Sequence, residues 1–304
     1  MQNTYKLANT FDLESPFDLD NSDAYLRWRD RKLAQAITDT SGLIVEIKDP
    51  RKLTKTEHAA LLERCRRSNM VIYATDAEAP DEEMVRQLGL QFGLTSLDAN
   101  WLAGEQGITR VTVCAEDGQR QAYIPYTDRA IKWHTDGYYN TPERQVRGMI
   151  LHCVHSAGQG GENHLLDHEI AYVMLRDQNT EFIRALSAVD AMTIPERTDE
   201  YGVARAEQTG PVFSVDSNGR LHMRYTARTR SIAWKQDAMT LAAVAALEKL
   251  LSSGMPHIHG LRLEPGMGLL CNNVLHDRAA FVDDATIPPR LLFRARYYER
   301  ITPS

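Results

Sequence analysis

Cysteine is scarce: Cys65, Cys114, Cys153 and Cys271 are scattered through 304 residues with no CxxC spacing. That excludes a disulfide framework and a zinc knuckle, and the four read as buried, reduced thiols of a cytoplasmic protein. An excess of positive charge is missing too. Thirty-five basic residues against 41 acidic ones give −6, which argues against a nucleic-acid partner held by bulk charge. Long apolar runs are absent: TLAAVAAL at 240–247 stops at Glu248 and Lys249, too short to span a membrane. The first twenty residues lack a basic n-region and an apolar h-region, so no secretory signal is expected. There is no internal repeat, no low-complexity tract and no long Gly/Ser/Pro linker. One continuous domain over 1–304 is therefore expected. With 43% hydrophobic and 25% charged residues, it has the means to bury a sizeable core.

The pattern changes along the chain. Residues 1–107 mix helix and strand. Helices are predicted around 23–37, over 54–67 with Thr54 as N-cap, and over DEEMVRQLGLQFG, with strands at GLIVEI and VIYAT. From 108 to 304, ten short segments read as strands: ITRVTVC, IKWHTD, VRGMILHCV, NHLLD, AMTIPE, PVFSVD, RLHMRY, LRLEP, GLLCNN and LLFRARYY. Turn signals such as AGQGG and DSNGR separate them, which points to a β-sandwich or jelly roll. Two helices interrupt this region, at 167–177 and roughly 236–252. The second carries Leu241, Val244, Leu247 and Leu251 on one stripe.

Three segments carry chemistry. In WHTDGYY, His134 and Asp136 stand two apart, so on a regular strand both face one side. In VLHDR, His276 ends an apolar run read as a single strand, GLLCNNVLH. Two imidazoles and one carboxylate around an ion with open positions suit a non-haem Fe(II) centre that activates oxygen. A second acid–His pair, Asp167–His168–Glu169, sits at a helix start and reads as capping plus a solvated face. In PRLLFRARYY, Arg290, Arg294 and Arg296 share parity amid Leu291, Leu292, Phe293 and Ala295. A central strand with three arginines on one face needs anions, because an unpaired buried charge costs several kcal/mol. A dicarboxylate co-substrate would supply them through a bidentate pair.

With the GGEN turn at 160–163, the ordered set resembles the taurine dioxygenase/clavaminate synthase-like family over roughly 120–300. The GGENHLLD turn and the NGRLHMRY strand pair also look loosely like its γ-butyrobetaine hydroxylase and glutarate hydroxylase branch. The resemblance implies a mostly β fold with α: a double-stranded β-helix (jelly roll) core with flanking helices and a helical insertion before the distal histidine. It implies Fe(II) held by His134, Asp136 and His276, with 2-oxoglutarate as co-substrate and O2 as oxidant. Arg290 falls on the co-substrate arginine and Arg294 on the one often found at the substrate. The family's threonine after the Gly-Gly-acid turn is Asn163 here, with His164 as the alternative for its role. Retention of Asp136 disfavours halogenation.

The expected reaction is hydroxylation of an unactivated C–H bond in a small anionic substrate, a carboxylate first. Sulfonates and betaine-type acids are the competitors, and desaturation or cyclisation on the same site is a further outcome. Arg294, Tyr126 and Tyr138 are the candidate substrate contacts. Tyr123, Tyr126, Trp133, Tyr138 and Tyr139 could form a cage for a quaternary ammonium, or be core and strand residues. Arg224 and Arg228 read as surface ion-pair residues, and His152 and His222 as core histidines. A zinc hydrolase could use the same two-His, one-Asp set, and a non-catalytic sensor of metal or 2-oxoglutarate would need every part but the oxygen chemistry. No nucleic acid and no membrane is expected as partner, and assembly into a homo-oligomer stays open.

Overall fold

The computed structural model describes residues 15–98, 107–113, 123–199, 202–228 and 232–302. Cys114 lies outside them, while Cys65, Cys153 and Cys271 are buried free thiols. The architecture is mixed α/β with several antiparallel sheets. The largest runs, in spatial order, Ile44–Glu46, Met70–Ala74, Met267–Cys271, Gly148–His155, Leu291–Tyr297 and Thr109–Val111. Its first pair is parallel and its other pairs are antiparallel. A second sheet runs His259–Leu261, Asn163–Leu166, Leu275–Arg278 and Ile131–His134. The N-terminal part thus does more than cover the β region, since two of its strands extend the largest sheet.

Strand alternation assigns the two faces of that sheet. Met149, Cys153, Leu269 and Leu292 share an apolar layer with Leu165 of the second sheet. Their neighbours Ile150, Leu270, Phe293, Ala295 and Tyr297 face the other way, onto Leu61, Leu62, Met84, Val85 and Leu88 of helices Lys55–Ser68 and Glu82–Leu90. The first of these helices begins at Thr54, the N-cap its sequence predicts, and Glu57 caps the Thr54 backbone amide in return. Among the described residues no helix is long and apolar enough to cross a membrane.

A third apolar cluster belongs to helices His168–Gln178, Thr180–Leu186 and Ala238–Leu251. Two expectations change here. Leu241 is 43% exposed. The stripe is instead Thr240, Ala243, Val244, Leu247 and Leu251, with the Thr240 hydroxyl satisfied by the N-cap Asp237 at 2.8 Å. Asp167 does cap its helix through the Glu169 amide, at 2.9 Å, but its face is not solvated. Lys32 of helix Ser22–Gln35 is buried, with its ammonium 2.6 Å from Asp167 and 2.5 Å from Glu169.

Burial alone would lower the Lys32 ammonium's pKa and raise that of Asp167, yet the mutual attraction outweighs it in both directions. A depressed carboxyl stabilises the fold above the ordinary carboxylate range and stops doing so as pH falls through its folded value. Lys32→Met removes the cation from one buried carboxylate, Asp167, and one partly buried one, Glu169. It is expected to lower the unfolding free energy by roughly 3–5 kcal/mol in urea titrations at neutral pH. A loss below about 1 kcal/mol would mean that water reaches the carboxylates.

The run GLLCNNVLH is two strands rather than one. Met267–Cys271 lies in the largest sheet and Leu275–Arg278 in the second. Asn273 turns the chain between them with φ 50°, a left-handed conformation that Asn tolerates better than most residues.

Candidate metal centre

Strands Ile131–His134 and Leu275–Arg278 are antiparallel neighbours that place His134 directly opposite His276. Their rings lie 4.2 Å apart between centroids. Each Nδ1 is 2.9 Å from the carbonyl two residues earlier, Lys132 O and Val274 O. A carbonyl only accepts, so each Nδ1 carries the proton and each Nε2 keeps a lone pair for a ligand role. Burial, then the facing His276, push His134 down to about 3, so it is neutral at physiological pH.

Asp136 reaches the same place by another route than strand parity. The strand ends at His134, and Asp136 opens the turn that follows. Asn273 holds that turn from both sides. The Asp136 amide donates to Asn273 Oδ1 at 2.8 Å, while Asn273 Nδ2 donates to Asp136 O at 2.9 Å and Val146 O at 2.6 Å. Gly137 follows with φ 68°, and a Cβ there would stand 2.5 Å from Val146, so only glycine fits.

The ligand atoms of His134, Asp136 and His276 all lie within 4.8 Å of one another. Burial would raise the Asp136 carboxyl, but the charges of Arg294 and Arg296 hold it well below the usual carboxylate range. Its Oδ2 is fully buried without a hydrogen-bond partner. Two imidazole lone pairs and a buried carboxylate oxygen that makes no hydrogen bond form a donor set that fits a divalent transition metal.

Replacing Asn273 by Ala removes three hydrogen bonds from this turn. It is expected to weaken metal affinity about 10–100-fold, as the loss of outer-shell partners does. Anaerobic titration of metal into the variant measures it, and an unchanged affinity would leave Asn273 with a folding role only.

His134, His276, Asn163, Arg290 and Arg294 line one narrow cavity of about 50 Å3 between the two sheets, with Leu151, Leu292 and Met149 as apolar wall. The three arginines meet different fates. The Arg294 guanidinium is 3.4 Å from Asp136 Oδ2. Arg296 pairs with Asp98 at 2.7 Å and donates to the Tyr139 hydroxyl at 2.9 Å. The protein's own carboxylates therefore meet two of the charges that sequence reasoning assigned to ligands. Arg290 is 6% exposed, and its guanidinium has no carboxylate within 4.0 Å among the described residues, Asp283 bonding only its backbone amide at 3.0 Å. Burial lowers its basicity, and its guanidinium lies 4.9 Å from the Phe281 ring centroid. Gly161 of the GGEN turn lies against it, since a Cβ there would be 3.6 Å from Arg290 Nε.

Asn163 lines the cavity with one amide hydrogen already given to Asp277 O at 2.7 Å. His164, one residue on, points out of the sheet and bonds Asp277 with its imidazole half exposed. It cannot take the threonine's place, because alternation puts it on the wrong face. Neither Tyr126 nor Tyr138 lines the cavity. Both are buried, Tyr138 in the cluster of the helical insertion. Arg224 is no surface residue: it is buried and donates to the carbonyls of Tyr138, Met192 and Gln208. His152 and His222 are buried away from the ligand set, as expected of core histidines.

Sequence reasoning missed the role of Arg278, which donates to Pro125 O, Thr127 O and Arg129 O and so fastens one wall of the cavity. It also missed Asn273. The Asn-Asn pair before VLH was the available signal, since paired amides in an apolar run require polar partners.

A model of the family described as taurine catabolism dioxygenase TauD, TfdA matches residues 29–296. Among characterised proteins, a uridine-5'-phosphate dioxygenase of Amycolatopsis sp is 32% identical over 172 residues, 55% of this chain and 60% of that protein. The match thus spans less than two thirds of that relative's length. One of Streptomyces sp is 27% identical over 209 residues, 67% of this chain and 74% of that protein. Among solved structures, asparagine oxygenase in complex with Fe(II), hydroxyasparagine and succinate superposes with a TM-score of 0.60 at 13% identity, covering 81% of this chain and 80% of that one. The non-heme iron oxygenase OrfP with hydroxyarginine gives 0.60 at 17%, covering 84% and 82%. At such identities these two likenesses establish the fold alone.

Proposed function

The chain belongs to the taurine catabolism dioxygenase TauD, TfdA family, and from that premise we propose that it is an Fe(II)- and 2-oxoglutarate-dependent dioxygenase acting on a small anionic substrate. The observation that carries this reading is the convergence of His134, Asp136 and His276 beside a buried guanidinium, Arg290, that forms no ion pair among the described residues. When bound, Fe(II) with 2-oxoglutarate and O2 supplies the oxidant for a C–H bond, and the co-substrate leaves as succinate and CO2. The two sheets are read as the faces of a double-stranded β-helix, with 1–304 as one oxygenase domain.

In this reading His134 and His276 present Nε2 to the metal because backbone carbonyls hold both Nδ1 protons. Asp136 gives its Oδ2, which makes no hydrogen bond and has the Arg294 guanidinium at 3.4 Å, and Asn273 fixes the turn that aims it. Arg290 takes the far carboxylate of 2-oxoglutarate as a bidentate pair, with the second amide hydrogen of Asn163 beside it. Arg294 keeps Asp136 ionised and faces the same cavity. Leu151, Leu292 and Met149 exclude water from the reacting groups.

The substrate follows less from the cavity than from the relatives. Two of them are uridine-5'-phosphate dioxygenases, which favours a phosphate-bearing substrate over the carboxylate that the sequence suggested. The test is succinate formation from 2-oxoglutarate under air. It should require added Fe(II) and rise when the substrate is supplied, with nucleoside 5'-phosphates and small amino acids screened side by side. Failure of Fe(II) to support any succinate formation would overturn the oxygenase reading.

A further inference from the structure

The turn that carries Asp136 continues into Tyr138 and Tyr139, and three further arginines lie against these rings or that of Tyr123. The short hairpin Arg197–Asp199 and Gly202–Arg205 pairs Arg197 directly with Arg205. Like charges opposite one another on neighbouring strands are destabilising. Both guanidiniums nevertheless point the same way: Arg197 lies 4.2 Å from the Tyr123 ring centroid and Arg205 5.5 Å from that of Tyr139. Arg228, at the other end of the segment that bridges His134 through Thr226, acts with Arg205 on the Tyr138 hydroxyl.

Among the described residues none of the three has a carboxylate within 4.0 Å, and the groups acting on Arg205 are tyrosines and Arg197. The Arg205 Nε is buried with no hydrogen-bond partner, although its Nη2 is used by Pro195 O at 2.9 Å. Arg197 and Arg205 repel one another, Arg228 acts on the same Tyr138 hydroxyl as Arg205, and none of the three has an acid within 4.0 Å among the described residues, a setting that favours an anion of more than one charge. A carboxylate accepts one planar fork. A phosphate monoester has three peripheral oxygens and close to two charges, so it can accept two.

We propose that Arg197, Arg205 and Arg228 form a phosphate subsite for the substrate, with Tyr138 and Tyr139 as its wall. Arg294, already beside Asp136, is left to the metal and co-substrate side. This rests on the oxygenase reading above. It assigns the anionic end of the substrate to residues on the insertion side of the Asp136 turn, so the phosphate and the metal grip one substrate from two sides of one turn.

The test uses the full chain, anaerobic and loaded with Fe(II) and 2-oxoglutarate. Inorganic phosphate and a nucleoside 5'-phosphate are titrated by phosphorus NMR and calorimetry, with the free nucleoside as control. Arg205→Gln and Arg228→Gln should each weaken binding of both phosphates at least tenfold, and leave the calorimetric affinity for 2-oxoglutarate unchanged. Arg205→Lys, which keeps the charge, should recover part of the loss. The proposal is overturned if wild type binds neither phosphate. It is also overturned if the free nucleoside binds as tightly as its phosphate, or if the Gln variants lose 2-oxoglutarate affinity in step with phosphate. Absence of Fe(II)-dependent succinate in wild type would sink the oxygenase reading instead, and phosphate binding is measured without turnover.

Discussion

Alanine at His134, Asp136 or His276 is expected to abolish Fe(II)-dependent succinate formation while leaving the circular dichroism spectrum unchanged. The three ligand atoms lie within 4.8 Å of one another, and each comes from a different backbone setting: a strand end, a turn and the opposite strand. Loss of one leaves two donors, and iron retention should fall by more than about 100-fold, beyond the range seen when only an outer partner is removed. Asp136→Ala should be the most severe, because it also removes the anion that offsets Arg294 and Arg296. Iron content after anaerobic desalting reads the effect without turnover. Retention of stoichiometric iron by all three variants would place the metal elsewhere.

Arg290→Ala should leave iron retention intact and raise the apparent 2-oxoglutarate requirement by roughly 150- to 4,000-fold, the equivalent of about 3–5 kcal/mol for one lost partner of a buried ion pair. The free protein should move the other way. The Arg290 guanidinium is a buried charge with no acid within 4.0 Å of it among the described residues. Its removal is therefore expected to raise the urea midpoint in the absence of ligand, as removal of an uncompensated buried charge does. Unchanged 2-oxoglutarate affinity would transfer the role to Arg294, which lines the same cavity.

The sequence made the chemistry more legible than the geometry that delivers it. The ligand set could be read because His-x-Asp, a distal His and an arginine strand are rare together. Strand parity gave the wrong route to Asp136, since the strand stops at His134 and a hydrogen-bonded turn does the aiming. Parity did place Arg294 and Arg296 on the inner face, where Leu292 lies. It could not say that Asp98 and Asp136 would answer them, because Asp98 is far away in the chain and no periodicity marks it. Asp167 and Glu169 misled for the same reason: their partner is Lys32, on a helix more than a hundred positions earlier. Strands of two to four residues, such as Arg197–Asp199 and Gly202–Arg205, are too short to show alternation.

The irregularity in the arginine strand bears on how its neighbouring loop can vary. Leu291 pairs with His155 and Leu292 with Cys153, so the partner strand skips a residue between them. A one-residue slip in a regular strand would turn every following side chain to the opposite face. Here the adjustment lies upstream of Arg294, and the run 284–289 before it is exposed throughout. Insertions grafted into that run can be absorbed before the ladder begins, so it is the natural place for homologues to differ in length, or for a designer to lengthen the chain. The same insertion after Leu292 would carry Arg294 and Arg296 into the layer of Phe293 and Tyr297.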